Sequence, residues 1–314
     1  MKSATYGQLL SLLVQVSFAA ESPNLCLASD CSADSTGRSL LQSQSVREKV
    51  TNTELSKVMQ QLASTLPAGD TKDLFQSFSI CGACGKWQRF GEAYDGGYLS
   101  CVDNMKNGSL LAAYSIGIEE HDQWSLDIFK TFQIPLYQYD CTVSKPAQSC
   151  EQCHFFEACL GTHNSQAFPG KTMWTLDEAV QHSKMLDVPD RSLLMKMDIE
   201  GSEWPTLLYS DLQTLKKFRQ LVIEFHFLRN EKRHAKYLKV MRHLRRAGFQ
   251  VIHVHGNNCC KMYEKDGLQI PNIVEVTFDA FAPTLETCEN PHKLELDMPN
   301  NQTLADIDVA RTEP

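Results

Sequence analysis

Between Lys196 and Trp204 the chain reads Lys-Met-Asp-Ile-Glu-Gly-Ser-Glu-Trp, which puts Asp198, Glu200 and Glu203 within six residues. Carboxylates gathered this closely repel one another unless something cationic sits among them. A sulfonium, a metal ion or a basic side chain would serve. The apolar run Leu193–Met197 reads as a buried strand that delivers Asp198 to a sheet edge, followed by a turn through Gly201 into a helix. Glu203 is read as favouring the amino terminus of that helix. Asp198 has no such structural reason and is a candidate catalytic residue. A second group follows in Leu221-Val222-Ile223-Glu224-Phe225-His226. Glu224 and His226 are two residues apart and share a side if the strand continues. The histidine could then act as a general base with Glu224 orienting it. His253, His255, Asn257 and Asn258 add polar groups at the next strand end.

Two further places have the look of a nucleoside site. Tyr114-Ser115-Ile116-Gly117-Ile118-Glu119-Glu120 ends an apolar run in a turn whose Gly117 lets backbone come close to another group. Asp140 closes the following strand about 20 residues on, where a carboxylate can accept hydrogen bonds from ribose hydroxyls.

The elements that must position these residues alternate. Leu110–Ile116, Leu136–Tyr139, Leu193–Met197, Leu221–Phe225, Phe249–Val254 and Ile273–Phe278 read as strands. The segments 121–133, 176–186, 204–215 and 231–247 carry apolar residues at helical spacing. Strands alternating with helices predict an α/β fold with a mostly parallel, doubly wound sheet. In such a sheet ligands bind at the carboxyl ends of the strands, where the candidate residues lie.

At these residues the sequence resembles the FkbM-related methyltransferase-like family, especially members with a secretory signal. The resemblance spans roughly residues 88–280 and rests on Arg89 with Asp95-Gly96-Gly97-Tyr98, on Tyr114–Gly117 and on Tyr139-Asp140. It is strongest at Lys196–Trp204, and Gln220–His226 and His255-Gly256-Asn257 also match. It implies a seven-stranded, Rossmann-like class I methyltransferase sheet with S-adenosylmethionine as cofactor. Carried over, Ser115 and Gly117 lie at the cofactor's amino-acid part and Asp140 binds its ribose. Asp95, Gly96 and Gly97 close the site from the amino-terminal side, and Asp198 sits near the sulfonium. The turn at 115–120 departs from the general methyltransferase pattern in having one glycine where two or three are usual.

The reaction implied is in-line methyl transfer to an acceptor oxygen, with Asp198, Glu224 or His226 orienting or deprotonating the hydroxyl. The acceptor is a small molecule, glycan or lipid. No metal ligands are assigned; a version in which Asp198, Glu224 and a rim His or Asn hold Mg²⁺ or Mn²⁺ is the less favoured one. The alternative is a non-catalytic secreted binding protein that keeps the methyltransferase fold.

Composition sets the compartment. The 314 residues carry a formal net charge of −8, which argues against nucleic acid as a partner, and the basic stretch Arg229–Arg246 reads as a solvated helix face. Residues 1–20 have the charge, apolar run and small residues of a cleaved signal peptide. Residues 21–69 read as a linker holding a short amphipathic helix over 46–62, residues 70–285 as the methyltransferase-like domain, and 286–314 as an acidic polar tail. No transmembrane helix is expected once the signal is cleaved. The 12 cysteines and the sequons at Asn107 and Asn301 fit a glycosylated, disulfide-bonded protein of the endoplasmic reticulum or Golgi lumen or the extracellular space. The two C-x-x-C pairs, Cys81/Cys84 and Cys150/Cys153, leave structural zinc and redox chemistry open beside disulfides.

Overall fold

The computed structural model describes residues 69–307, apart from 104, 106, 107, 147, 166, 167, 261, 266 and 267. The expected signal peptide, the expected amphipathic helix over 46–62, Cys26, Cys31 and the sequon residue Asn107 lie outside the described residues.

The chain begins with α1 (Asp70–Gln76), β1 (Ile80–Gly82) and a hairpin of β2 (Trp87–Gly91) and β3 (Gly97–Cys101). The alternating part opens with β4 (Ala112–Ile116), α2 (Gln123–Phe132), β5 (Leu136–Tyr139) and β6 (Cys153–Phe156). Two short strands, β7 (Cys159–Leu160) and β8 (Met173–Trp174), precede α3 (Leu176–His182) and β9 (Leu193–Met197). Then come α4 (Glu203–Tyr209), α5 (Leu212–Lys217), β10 (Phe218–Phe225), α6 (His234–Arg246) and β11 (Gln250–Gly256). The chain closes with β12 (Tyr263–Lys265), β13 (Leu268–Ile270), β14 (Val274–Asp279) and β15 (Thr284–Glu289).

Seven strands form one sheet in the order β11-β14-β10-β9-β4-β5-β6. β4, β5, β6, β9 and β10 run parallel, while β14 runs antiparallel to both its neighbours. Counted in chain order within this sheet, the strands lie 6-7-5-4-1-2-3, with only the seventh reversed. Alternation along the strands divides the core. Tyr114, Ile116, Met195, Met197, Ile223 and Phe225 pack in one apolar layer with Leu207 of α4 and Tyr237 and Leu244 of α6. Ala113, Leu194 and Val222 face the other way, into a smaller layer with Phe90, Tyr98 and Trp124.

Local chemistry sets the ends of the helices. Thr175 and Glu178 form a reciprocal capping box at α3, satisfying backbone N–H groups that the first turn leaves unpaired. Asp122 caps α2 by accepting from the Ser125 N–H. The helix expected over 204–215 is interrupted: Ser210 is extended, and the Asp211 N–H donates to the Asp177 carboxylate instead of continuing the helix. Pro205 is tolerated because it falls in the first turn, where an N–H has no intrahelical partner. The basic side chains of Lys236, Lys239, Arg242, Arg245 and Arg246 are exposed on α6, as the solvated-face reading expects.

Residues 286–307 are not a free tail. β15 pairs with β1, and Cys288 is joined to Cys81 across 207 residues of sequence. Beyond it, Asp297 meets His253, Asp306 meets His255, and Gly256 bridges to Ile307. The contacts that fix this acidic segment are single side chains, which leave no periodic trace in the sequence.

The cysteines settle the zinc and redox alternatives for the first C-x-x-C pair. Cys81 pairs with Cys288 and Cys84 with Cys101, so Cys81 and Cys84 do not act together. Cys141 pairs with Cys159, and Cys150 with Cys153. These pairings fit a secreted or lumenal protein. Among the described residues no helix is long and apolar enough to cross a membrane.

Candidate functional site

The parallel strands β9 and β10 end side by side, and their carboxyl ends carry Asp198 and Glu224. Tyr98 on β3 bridges them from above: its hydroxyl lies 3.0 Å from Asp198 Oδ2 and 3.5 Å from Glu224 Oε2. His226 sits just past the end of β10, 2 % exposed, with Nε2 at 3.7 Å from Glu224 Oε1 and 3.9 Å from Asp198 Oδ1. The three expected catalytic residues therefore converge on one place.

The expected division of labour among them changes. Nδ1 of His226 lies 3.1 Å from Oε1 of Glu203, so Glu203, not Glu224, orients the ring. Glu203 is fully buried and also accepts from the Ile199 N–H at 2.8 Å and the Gly201 N–H at 2.9 Å. A residue read only as a helix-terminal acid thus fixes both the imidazole and the turn leading from Asp198. The ring changes character too. Burial disfavours its charged form, but Glu203, Glu224 and Asp198 outweigh burial and raise its pKa well above the ordinary histidine value. These carboxylates favour the imidazolium over the neutral ring. Glu224 moves the same way for another reason: burial first, then Asp198, pushes its carboxyl well above the usual range.

Glu200 and Asn257, read only as part of the acidic run and of the polar rim, join the cluster directly, and Glu275 and Asn300 escaped the sequence reading. Glu200, at φ +54°, brings Oε2 to 3.4 Å from His226 Nε2. Glu275 is the direct cross-strand neighbour of Glu224 in β14. Asn257 donates to Glu224 Oε1 at 2.9 Å. Asn300, from the supposed tail, donates to Glu275 Oε1 at 2.6 Å and Asp95 Oδ1 at 3.0 Å. Only the cross-strand position of Glu275 could have been found from sequence, by pairing the polar residue within an apolar strand with Glu224.

Lys196 supplies the nearest fixed positive charge. Its Nζ lies 3.6 Å from Asp198 Oδ2 and 5.5 Å from the centre of the Tyr98 ring, and it donates to the Gly117 carbonyl at 2.5 Å. Lys196 and Glu224 thus point to the face covered by the β2–β3 hairpin, as Leu194 and Val222 two residues earlier do.

The residues expected to hold a cofactor fall into three groups. Asp95 joins the carboxylate cluster; burial and the neighbouring Glu275 and Asp198 raise its pKa despite the hydrogen bond from Asn300. Gly96 and Gly97 shape the hairpin. Gly96 has φ +77°, and a Cβ on Gly97 would stand 1.9 Å from the Glu92 carbonyl oxygen. Arg89 stitches the same turn by donating to the Glu92 and Tyr94 carbonyls. Gly117, also at φ +77°, lies against the backbone of Asp198: a Cβ there would fall 1.7 Å from the Asp198 carbonyl oxygen. Its close approach is thus to the chain itself. Ser115 is buried within β4, and its hydroxyl has no hydrogen-bond partner among the described residues.

Asp140 ends β5 as expected, with all its acceptor capacity directed at the chain. Oδ2 accepts from the Ile118 and Glu119 N–H groups, both at 2.9 Å, and Oδ1 from the N–H and hydroxyl of Thr142 at 2.7 and 2.6 Å. Burial opposes its ionisation, but the Thr142, Glu119 and Ile118 hydrogen bonds prevail and its pKa is lowered. The carboxylate holds the turn after β4 in place.

Residues 170–251 match the family model described as the methyltransferase FkbM domain. The match contains Asp198, Glu200, Glu203, Glu224 and His226, while Asp95, Tyr98, Gly117, Asp140 and Glu275 lie outside it. No curated protein matches the chain.

Proposed function

We propose that this chain, which carries an FkbM-type methyltransferase-like domain, is an S-adenosylmethionine-dependent methyltransferase that acts on a hydroxyl group. The observation that carries the reading is the meeting of Asp198 and Glu224 at adjacent parallel strand ends inside the segment the FkbM model matches. The strand order 6-7-5-4-1-2-3 with a reversed seventh strand supports the Rossmann-like class I methyltransferase type. The FkbM match favours this reading over a non-catalytic binding protein.

The residues present suit a cationic cofactor. Asp95, Asp198, Glu200, Glu224 and Glu275 surround a site whose nearby basic groups are Lys196 and His226. When bound, S-adenosylmethionine supplies an electrophilic methyl group on a positively charged sulfonium. Asp198 is the most accessible of the paired carboxylates, with its side chain 26 % exposed, and it takes the proton of the acceptor hydroxyl. Tyr98 holds Asp198 and Glu224 in register with each other. His226, kept cationic by Glu203, limits the repulsion among the carboxylates. A site lined by carboxylates suits a neutral polyhydroxylic acceptor better than a phosphate or carboxylate, because like charges repel. A lumenal or extracellular setting with a cleaved signal and a glycan at Asn301 completes the reading.

Calorimetric titration of the secreted, oxidised chain with S-adenosylmethionine tests it, beside an Asp198→Asn variant in a tritiated-methyl transfer screen over glycans and lipids. Micromolar binding, with transfer lost in the variant, is expected. A folded sample that binds no S-adenosylmethionine sinks the enzyme reading.

A further inference from the structure

The imidazole of His226 is held at one nitrogen and left open at the other. Nδ1 is engaged by Glu203, so Nε2 is the atom presented to the cluster. Nε2 makes no hydrogen bond among the described residues, yet it is buried and faces Glu200 Oε2, Glu224 Oε1 and Asp198 Oδ1 at 3.4, 3.7 and 3.9 Å. The imidazolium favoured by these carboxylates already sets a positive charge among them, and a metal ion bound there would take the place of the Nε2 proton.

The spacing says what kind of cation. Two ligand atoms each about 2.1 Å from a shared ion stand roughly 3.0 Å apart at right angles and roughly 4.2 Å apart when opposite. All three distances from Nε2 fall between those limits, as shared coordination requires. One ligand atom from each of Asp198, Glu200 and His226 lies within 4.8 Å of the others. A buried carboxylate behind the far nitrogen of a ligating histidine is the usual means of fixing its tautomer and ring orientation. On the adjoining carboxylates Asp95 and Glu275, Asn300 is 6 % exposed and leaves its Oδ1 without a hydrogen-bond partner among the described residues.

We propose that Asp198, Glu200 and His226, with Glu224 at the edge, bind one divalent cation, and that Glu203 positions the histidine for it. One nitrogen with several carboxylate oxygens suits Mn²⁺ and related ions. The ion site stands on its own geometry. Its use rests on the methyl-transfer reading, in which the ion would hold the acceptor hydroxyl beside the methyl donor.

The test is Mn²⁺ titration of the secreted, oxidised full chain followed by electron paramagnetic resonance, without S-adenosylmethionine. The proposal expects one bound Mn²⁺ per chain with nitrogen coupling from an imidazole in the spin-echo spectrum. Glu200→Gln, at a half-exposed position, should weaken binding at least tenfold, and His226→Gln should abolish the nitrogen coupling. Asp187→Asn, an exposed acid away from the cluster, should bind as wild type does. A folded wild-type chain that leaves the signal of free Mn²⁺ undiminished overturns the site, as does bound Mn²⁺ without nitrogen coupling. Separate calorimetry with S-adenosylmethionine keeps the two ideas apart. Mn²⁺ binding without cofactor binding supports the ion site and removes the methyl-transfer reading; the reverse overturns the ion site alone.

Discussion

Glu203 Oε1 stands 3.1 Å from Nδ1 of His226 and 2.8 Å from the backbone nitrogen of Ile199. One buried carboxylate therefore couples the end of β10 to the turn that follows β9. Trp204, the next residue, completes the link: its indole donates to the His226 carbonyl at 2.8 Å while stacking between Phe225 and Tyr237.

Glu203→Gln keeps an acceptor for the backbone N–H groups and removes the charge facing the imidazole. Because Glu203 is the main influence opposing burial at His226, the ring should titrate at lower pH in the variant, as read by nitrogen-15 NMR of the imidazole. An unchanged titration would show that Asp198 and Glu224 hold the proton instead. Glu203→Ala removes one partner of a buried charge pair and should cost about 3 kcal/mol in chemical unfolding.

Gly117→Ala probes the other side of the same turn. At φ +77° an alanine is strained, and its Cβ would overlap the Asp198 carbonyl oxygen at 1.7 Å. Left-handed strain alone costs about 1–2 kcal/mol, and the displaced Asp198 backbone adds to it. A clear fall in thermal midpoint, together with loss of S-adenosylmethionine binding, is expected. An alanine variant as stable as wild type would mean that the turn opens readily.

How far the sequence discloses this site depends on the kind of contact involved. Strands such as Leu193–Met197 and the helix around Tyr237 and Leu244 are legible because burial imposes a period. Asp198, Glu224 and His226 are legible because charged groups at the end of an apolar strand need a reason to be there. The reversal of β14 is not, since a buried strand reads the same in either direction. Nor are Asn300 and Asp306 legible: they reach the sheet as lone side chains from an irregular segment, through contacts 25 and 51 residues away in sequence. Asp140 shows a different limit. Its position at the strand end is as expected, but its oxygens are engaged by the turns beside it.

That irregular segment is fastened through His255, whose Nδ1 meets Glu275 of β14 at 3.1 Å and whose Nε2 meets Asp306 at 3.0 Å. Burial disfavours the imidazolium, but hydrogen bonds to Asp306 and Glu275, with Asp297 adding charge, raise its pKa to about 10. Lys293 lies against the same Asp306 carboxylate. A histidine whose pKa is higher folded than unfolded stabilises the fold fully below its unfolded pKa of about 6.5, and that contribution is lost as pH rises toward 10. Asp306 and Asp297 act in the opposite window. Burial opposes their charge, but His255 and His253 hold both pKa values below the usual carboxylate range, so their contribution is present at neutral pH and lost in acid. Wild type should therefore lose thermal stability between pH 6.5 and 10 more steeply than His255→Gln, measured by calorimetry at matched ionic strength. Hydrogen exchange should place the first opening over residues 290–307 and expose the carboxylates that Asn300 covers. Parallel pH profiles for the two proteins would show that His255 is neutral in the fold and that packing alone fastens the segment.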